Sequence, residues 1–502
     1  MTDTILTKQD IRFRLRSSAE YGKGAFAGIA TLLIALVLLA NSFGGTDFAL
    51  RPIMFSACAV YFVFALLQLG ALAIIRRDLL LYGEVRRTTR RLGYALLVSL
   101  IGANIFMATA AFELIKRRKS AAYTLAVYAL LTTLFVLAVS ALNVFKPYVS
   151  DLFLPGFALL LVFAFIQLIA LLSIARLPDG RLPARMWPVA VSLLITSAGG
   201  NLFALVLGVI LINRLSRRED SISEHKLAAV VDRLSRSTTS MLGLFFIGFL
   251  LSISINSYLT FDYGMAIENN YSAILQPPSL AYPLGTDNFG RCLFSRIVFG
   301  ARISLVVGVL STLIPLIAGG ALGALAGYYH RNADNVIMRS LDILYAIPSI
   351  LLAIAIIAAF GASTTNLILA LSIGAIPTYA RTMRANVLLV STLEYVQAAR
   401  ALGAGDFKIL LTHIVPNSLA PMIVKSTLTV GTAVISTSSL SYLGLGVEPH
   451  IPEWGNILKV GSSYLETHPY TAIYPGLAIV ALVLSFNFLG DGLRDALDPK
   501  LD

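Results

Sequence analysis

The dominant pattern in the sequence is a series of long apolar segments separated by short polar ones. Most are long enough to cross a hydrocarbon layer of roughly 30 Å as a helix. They lie near 25–41, 53–75, 93–115, 121–142, 153–175, 188–212, 241–258, 303–328, 343–360, 365–380, 421–440 and 474–490. The pattern predicts an all-α polytopic membrane protein with about twelve transmembrane helices.

Composition supports a membrane protein and argues against other classes. Apolar residues make up 57% of the 502 residues and charged residues only 13%, too few to cover a soluble domain of this length. The net charge of +12 comes from basic residues clustered between apolar segments, which topology explains better than nucleic-acid binding. Cys58 and Cys292 lie far apart and the five histidines are scattered, so we expect no disulfide, metal site or cofactor in this chain.

The first part of the chain contains an internal duplication. Three pairs of segments match in the same order: 35–43 with 136–145, 63–77 with 162–176 (Gln68 with Gln167), and GANIF at 102–106 with GGNLF at 199–203. This predicts an accessory membrane domain over residues 1–213, built from three-segment repeats at about 24–118 and 121–218. Three crossings per repeat favour inverted copies.

Loop charges leave two topologies open for this domain. Basic clusters at 76–91 and 116–119 flank segment 93–115, so a single crossing there puts one cluster outside. Either the charge bias is broken, or 93–115 and its counterpart 188–212 re-enter the membrane on the side they left. We favour six crossings over four crossings plus two re-entrant segments. Asn104 and Asn201, at the middle of these segments, are interpreted as interhelical hydrogen-bonding groups rather than a binding site.

A polar stretch at 214–238 with alternating charges predicts a cytoplasmic linker, and a second membrane domain follows at 239–502. Both topologies of the first domain return the chain to the cytoplasm before residue 214. In the second domain, Arg339 and Asp342 at the edge of a segment predict an interfacial ion pair or a link to the polar stretch that follows. Arg381 and Arg384 are expected to set orientation.

The most informative polar stretch is EYVQAARALGAGDFKILLTHIVP at 394–416. Its first part predicts a short helix that ends at Gly403, a residue that readily takes positive φ. Asp406 is able to cap a second short helix, which Pro416 is expected to halt. The pattern predicts a helix–turn–helix elbow outside the bilayer.

This elbow resembles the EAA loop of ABC-importer permeases. The flanking stretches at 283–308, 337–352, 439–458 and 475–501 resemble the oligopeptide/dipeptide (peptide/nickel/opine) permeases, specifically the C-type subunit. The resemblance covers about 230–502 and leaves the leading domain unexplained. The resemblance implies that seven residues of this sequence couple the permease to an ATPase. They are Glu394, Gln397, Ala398, Ala399, Gly403, His413 and Pro416.

The resemblance implies a type I ABC-importer (MetI-like) fold for the six C-terminal helices. It also implies a permease subunit that forms half of the pathway of an ATP-driven importer for oligopeptides, dipeptides or related small solutes. The implied partners are a second homologous permease, two cytoplasmic ATPase subunits that bind ATP and Mg, and an extracytoplasmic substrate-binding protein. The implied location is the bacterial inner membrane, as a multi-pass protein surrounded by lipid with both termini in the cytoplasm.

Some residues depart from the family pattern. Gln397 replaces the acidic residue expected at the start of the motif, His413 stands where isoleucine is frequent, and Cys292 stands where an acidic residue is usual. On the outer side, Glu448, Pro449 and Trp454 are candidate contacts for the binding protein. An equal alternative is that the outer loops only pack on each other. Glu453 is interpreted as a solvated loop charge.

Two alternatives to an ABC permease are an ion-coupled secondary transporter and a membrane sensor. The chain has no GxxxxGK[ST] motif, so we expect no enzyme activity, and energy must come from another polypeptide. A secondary transporter predicts acidic residues within the membrane, and the chain offers few, since Glu113 and Asp342 both lie near segment ends. For the leading domain we expect lateral contact with lipid or with a partner subunit.

Overall fold

The computed structural model describes residues 14–15, 18–44, 49–50, 52–117, 120–146, 149–177, 182–216, 222–329 and 331–497. Over these residues the protein is helical, apart from loops, an isolated bridge and one two-residue antiparallel pair, β1 (Phe43–Gly44) with β2 (Ala49–Leu50). The chain divides into two compact units, Met1–Val127 and Tyr128–Asp502. The functional boundaries expected at 213 and 238 remain predictions.

The leading region contains nine helices. They are α1 (Ala19–Ser42), α2 (Pro52–Tyr82), α3 (Arg87–Leu96), α4 (Ile105–Ile115), α5 (Ala121–Ala141), α6 (Phe153–Ala175), α7 (Trp187–Thr196), α8 (Leu202–Ser216) and α9 (Ile222–Arg236). Short 3₁₀ turns join them at Leu97–Leu100, Leu142–Phe145, Ala184–Met186 and Ser197–Gly199. These counts refer to the described residues of this region.

The remaining helices follow the linker. They are α10 (Thr238–Thr260), α11 (Gly264–Ile267), α12 (Leu293–Tyr328), α13 (Arg331–Tyr345), α14 (Ser349–Phe360), α15 (Thr364–Ser391), α16 (Glu394–Ala401), α17 (Asp406–Ile409), α18 (Val415–Leu443), α19 (Trp454–Ser462) and α20 (Tyr470–Leu497). A 3₁₀ turn covers Tyr271–Ala273, and a π-helical turn at Leu410–Ile414 joins α17 to α18.

Eight of the described helices are long and apolar enough to cross a membrane, and a bent pair adds a ninth. The bent pair consists of Asn332–Tyr345 and Ser349–Phe360, which meet at 79°. Segment 365–380 lies within α15, which has 28 residues. The apolar segments 93–115 and 188–212 are also helical, but each is broken in the middle. The protein is therefore an all-α polytopic membrane protein.

The two broken segments fold as helical hairpins. Near the start of α3, Arg90 donates through Nη1 to the carbonyl of Leu114 at the end of α4, at 3.2 Å. In the second hairpin, a Cβ on Gly208 of α8 would lie 2.7 Å from the Leu194 side chain of α7, so these helices pack directly against each other. Each segment returns towards the level at which it began.

This geometry favours the alternative with four crossings and two re-entrant hairpins. The basic residues before α3 and after α4 then lie on the same side of the membrane, which removes the conflict with the positive-inside rule. A repeat with two crossings and one hairpin has an even number of crossings. Tandem copies then keep the same orientation, so the reason for expecting inverted copies disappears.

Asn104 and Asn201 make equivalent hydrogen bonds in the two repeats. Each side-chain oxygen accepts from the backbone N–H three residues on, at 3.0 and 3.1 Å. Each side-chain amide donates to a threonine on the first helix of its own repeat, Asn104 to Thr31 at 3.0 Å and Asn201 to Thr133 at 3.1 Å. The asparagines therefore cap the second hairpin helix and join it to the repeat, which supports their interpretation as structural groups.

The second repeat is bound to α10, the first helix of the permease region. The carbonyl of Gly199, at the hairpin tip, accepts hydrogen bonds from Ser252 Oγ at 2.7 Å and from Asn256 Nδ2 at 2.8 Å. At the end of α10, the carbonyl of Thr260 accepts from Asn143 Nδ2 at 2.7 Å. Buried polar contacts of this kind fix one packing register between apolar helices.

A buried lysine extends this contact beyond the membrane span. Lys146 donates through Nζ to Ser295 Oγ at 2.8 Å and lies 4.9 Å from the ring of Phe261 and 5.0 Å from the ring of Phe294. Burial lowers the pKa of the Lys146 ammonium group. The hydroxyl and the two aromatic faces offset part of the cost of burying the charge.

Close packing of α12 against α15 positions the elbow. Gly323 lies so near α15 that a Cβ there would be 2.2 Å from the Ala380 carbonyl oxygen. Gly319 and Gly327, one turn to either side, make similar approaches to Ile376 and Arg384. Small residues at helical spacing allow two membrane helices to come into backbone contact. The elbow thus extends from a firmly packed helix pair.

Candidate coupling site

The elbow turns at Gly403. Helix α16 ends with the N–H of Gly403 bonded to the Arg400 carbonyl at 3.0 Å and the N–H of Ala404 bonded to the Ala399 carbonyl at 3.1 Å. These are the two hydrogen bonds of a Schellman motif, with Gly403 at φ +82°. The predicted glycine corner is confirmed.

The second arm of the elbow differs from the prediction. Pro416 does not halt a short helix, because α17, the π-helical turn and α18 form one continuous helix of 38 residues, Asp406–Leu443. Proline has no N–H to give to the carbonyl four residues before it, and a wider turn just ahead of it accommodates that loss within the helix. The elbow is therefore the end of a membrane helix rather than a separate pair of short helices.

Asp406 does not act as a side-chain cap, because Gly405 occupies the N-cap position. Its carboxylate instead accepts a hydrogen bond from the Tyr328 hydroxyl at 2.6 Å, and the same hydroxyl accepts from Arg400 Nη2 at 3.3 Å. Tyr328 is the last residue of α12, so both arms of the elbow are connected to that helix.

Buried apolar side chains hold the elbow against α15. Val396 from the first arm and Ile409, Leu410 and Ile414 from the second lie in one core with residues near the end of α15. These α15 residues are Met383, Val387 and Val390. Val396 was not among the predicted residues, although an apolar residue on a short polar helix signals such an anchor. Because of this core, the elbow is packed firmly against the end of α15.

The tip of the elbow presents apolar side chains to the surroundings. Leu402 is 88% exposed, and Phe407 and Leu411 are also exposed. Tyr395 and Leu393 extend this surface along the first arm. An exposed apolar cluster on a rigid arm is typical of a site where another protein binds.

The predicted coupling residues lie along the two arms of the elbow, in different environments. Glu394, Gln397, Ala398 and Pro416 are exposed, whereas Ala399 packs on the buried core. His413 is half-buried in the π-helical turn, where its carbonyl accepts from Asn417 Nδ2 at 2.7 Å. The exposed members are available to a partner, and the others shape the arm.

Two ion pairs join α15 to the bent pair. Arg384 bonds Asp334 with Nε and Nη2, each at 2.5 Å from a carboxylate oxygen, and Arg381 bonds Asp342 at 2.5 Å. The guanidinium of Arg381 also lies 4.0 Å from the centre of the Tyr345 ring. Asp342 thus forms an ion pair, as expected, but its partner is Arg381 on the helix that carries the elbow and not Arg339.

At the opposite end of α18, Glu453 and Trp454 are buried rather than available at the surface. The Glu453 carboxylate accepts from the N–H groups of Gly455 at 2.8 Å and Asn456 at 3.1 Å, and so caps α19. Burial raises the pKa of this carboxyl group, against the opposing effect of these hydrogen bonds. The interpretation of Glu453 as a solvated charge is wrong, because helix capping and core packing take the side chain inward.

Trp454 has no exposed surface, and its Nε1 donates to the Ile297 carbonyl at 2.9 Å. A direct contact of this ring with a binding protein is therefore not available in this structure. Glu448 and Pro449 are exposed, and the Glu448 carboxylate lies 3.5 Å from His450 Nε2.

The loop before α12 is held by a buried carboxylate that the sequence did not single out. Asp287 accepts from the backbone of Phe289 and Arg291, and bonds Arg291 Nε at 2.7 Å. Arg296, also buried, lies 3.7 Å from the same carboxylate and donates to the Ala266 carbonyl. The loop is thus a folded surface. The one Asp and two Arg in GTDNFGRCLFSR carry this signal.

Comparison with known proteins decides the family. Residues 319–502, which include the elbow, match the model of the binding-protein-dependent transport system inner membrane component. A glutathione transport system permease protein of Pectobacterium atrosepticum is 43% identical over 269 residues, which cover 54% of this chain and 89% of the relative. A dipeptide transport system permease protein of Alkalihalophilus pseudofirmus is 44% identical over 269 residues, covering 54% and 88%.

The chain belongs to this permease family. The family match confirms the predicted permease fold of the C-terminal part and makes the protein a multi-pass inner-membrane transport component of an ABC importer. It is a permease subunit and not itself an ATPase. A solved structure of a methionine ABC transporter aligns with 40% of this permease and 97% of its own chain, at 21% identity and a TM-score of 0.35.

Proposed function

We propose that this permease forms half of the translocation pathway for short peptides or related small solutes, and that an ATPase subunit binds its elbow at 394–416. The observation that carries the proposal is the exposed apolar tip at Leu402 on an arm that is packed into the end of α15. A soluble partner with an apolar groove covers such a tip and gains the burial of its surface.

The coupling route follows from the contacts of the arm. Closure of an ATPase dimer moves the elbow, and the shared core carries the end of α15 with it. The ion pairs of Arg384 and Arg381 then pull on α13, which leads into the 79° bend before α14. A rigid arm that displaces a bent helix pair is a means of switching access between the two sides of the membrane.

The remaining partners complete this assembly. Large apolar side chains on the bent pair, including Val336, Ile343, Leu351 and Phe360, are exposed, which supports a second homologous permease across the pathway. Two ATPase subunits would bind ATP and Mg, and this chain would bind neither. Because the ATPase subunits are cytoplasmic, the elbow that binds them lies in the cytoplasm, together with both termini.

The cargo and the outer partner are part of the same proposal. The relatives named for glutathione and dipeptide transport support short peptides as the class of solute. An extracytoplasmic binding protein would deliver the solute to the surface formed by the folded loop at 261–292 and the exposed Glu448 and Pro449. Glu453 and Trp454 would stabilise that surface from within.

The ion-coupled alternative lacks an unpaired carboxylate at the two predicted positions. Glu113 lies 2.9 Å from Lys23 Nζ, and Asp342 lies 2.5 Å from Arg381. An ion-coupling carboxylate must release and bind its cation during the cycle, which a basic partner opposes. The pairs support structural roles for both residues.

Affinity purification in mild detergent tests the proposal. We expect the full-length protein to co-purify with a second permease and ATPase subunits. Leu402→Asp should lose the ATPase and keep the second permease, because a charge replaces the apolar tip without disturbing a buried core. Leu443→Asp, at an exposed leucine at the other end of α18, is the matched control and should retain the ATPase. Retention of the ATPase by Leu402→Asp would overturn the assignment.

A further inference from the structure

The two repeats of the leading region share one fold but differ in how much of their first helix is covered. In the most apolar part of α5, 67% of the residues are buried, compared with 28% in α1. The second helices do not differ in this way, since the values for α6 and α2 are 39% and 33%. The difference is therefore specific to the face of the first helix.

In the second repeat this face is covered by α10. Tyr128 and Phe135 of α5 pack against Phe245, with ring centres 6.2 and 5.4 Å apart, and Phe135 also packs against Phe249. The contact continues to the hairpin tip, where Ser252 and Asn256 bond the Gly199 carbonyl. A helix with aromatic side chains and a polar pair four residues apart thus occupies this face.

The equivalent positions of the first repeat can be identified from its hydrogen bonds. Thr31 corresponds to Thr133, since each accepts from the capping asparagine of its repeat. Phe26 then corresponds to Tyr128, and the contact of Phe26 with Phe106 repeats that of Tyr128 with Phe203. By the same alignment, Ile29 and Leu33 correspond to Leu131 and Phe135.

These equivalent positions are exposed in the first repeat. Ile29 is 60% exposed whereas Leu131 is fully buried, and Phe26 and Leu33 are also exposed. At the hairpin tip, Ile101 is almost fully exposed, and the Gly102 carbonyl accepts one hydrogen bond, from the Tyr61 hydroxyl at 2.9 Å. A carbonyl oxygen has a second lone pair that another donor is able to use.

We propose that this face of the first repeat, formed by Phe26, Ile29, Leu33 and Ile101, binds the first transmembrane helix of the partner permease. The proposal rests on the proposed function, which supplies that partner. It extends the contact that the second repeat makes with α10 to the homologous helix of the other permease. A duplicated module would then hold one permease with each copy.

Two other occupants fit the observations less well. A second copy of this chain offers no free equivalent of α10, because its own second repeat covers that face. Lipid explains the exposed sides of α2 and α6, where Leu66 and Phe165 are exposed alike in both repeats. Lipid contact does not explain why exposure differs between the repeats only at the first helix, since lipid-facing positions of two copies are expected to match.

Site-specific photo-crosslinking in the intact importer tests this inference. A benzophenone amino acid placed at residue 33 of the full chain should form an adduct with the partner permease, mapped by mass spectrometry to its first transmembrane helix. The same group at residue 66 is the matched control and should form no protein adduct. Adducts at residue 33 with lipid alone, or with residues of this same chain, would overturn the inference.

Co-purification separates this failure from a failure of the proposed function. If the second permease is present in the preparation and residue 33 does not react with it, the inference is wrong and the proposed function stands. If no second permease is present, both are wrong. A variant Leu33→Ala should fold, because its side chain is exposed, and should lower the yield of the second permease relative to Leu66→Ala. Equal yields would also count against the inference.

Discussion

Arg384 and Asp334 form a two-pronged ion pair, in which Nε and Nη2 of the arginine each lie 2.5 Å from one carboxylate oxygen. Arg384 lies on the helix that carries the elbow, and Asp334 lies on the first helix of the bent pair. Bidentate pairs fix orientation as well as distance. This contact therefore fixes the first bent helix against the helix that carries the elbow.

Breaking this pair should uncouple ATP hydrolysis from transport. We expect Arg384→Gln and Asp334→Asn each to lower transport several-fold in proteoliposomes, while the ATPase stays bound. A double-mutant cycle on unfolding should give a coupling energy of about 1 kcal/mol, since both side chains are partly exposed. Full transport in both single variants would remove the pair from the coupling route.

The neighbouring pair Arg381 and Asp342 provides the comparison for this coupling energy. It is more exposed, and its hydrogen bond uses one nitrogen of the arginine. The same cycle on these residues should give a coupling energy of no more than about 0.5 kcal/mol. An equal or larger coupling energy for this pair would show that the bidentate geometry does not strengthen the ion pair.

Gly403 should be sensitive to substitution for a reason confined to the backbone. A Cβ at this position meets no atom within 4 Å, yet φ is +82°. Gly403→Ala should therefore cost about 1–2 kcal/mol of elbow stability, and Gly403→Val more, through strain alone. Amide hydrogen exchange at residues 394–416 measures this loss of stability, because a less stable elbow opens more often and exchanges faster.

Gly405 provides the matched comparison. It also has open space around it, but its φ is −66°. Gly405→Ala should leave exchange unchanged or slow it slightly, because alanine restricts the unfolded chain. Faster exchange in Gly405→Ala than in Gly403→Ala would contradict the assignment of the corner to Gly403.

Glu453 should make the stability of the region around α19 depend on pH. Burial raises the pKa of Glu453 in the folded protein, so the folded state holds the proton more tightly than the unfolded state. Stability should then fall as pH rises from the ordinary glutamate pKa through the raised one. Thermal unfolding of Glu453→Gln should lack this part of the pH dependence. Identical pH profiles for both proteins would refute the effect.

Several features were predictable because they depend on local sequence. The glycine corner follows from the need for positive φ, and the membrane segments follow from their apolar length. The duplication is visible in the residues around Asn104 and Asn201, and the structure explains why they recur, since each caps a helix and bonds to Thr31 or Thr133.

Other features depend on contacts that periodicity does not reveal. A hydropathy window averages across the break at Ala103, where φ is +50°, and so merges a hairpin into one segment. Pro416 predicts a helix end, but the π-helical turn before it lets the helix continue. Glu453 and Trp454 lie in a loop sequence rich in proline and charge, and only the fold shows that they cap and fill the base of α19.

The most direct test of the account is cross-linking from the tip of the elbow in the assembled importer. Leu402→Cys, treated with a short thiol-reactive cross-linker, should form an adduct with an ATPase subunit, and Leu443→Cys should not. Native Cys58 and Cys292 are buried, so they should contribute little background. If residue 402 forms no ATPase adduct in a preparation that contains the ATPase, or reacts with reagents confined to the outer side, the coupling mechanism is wrong.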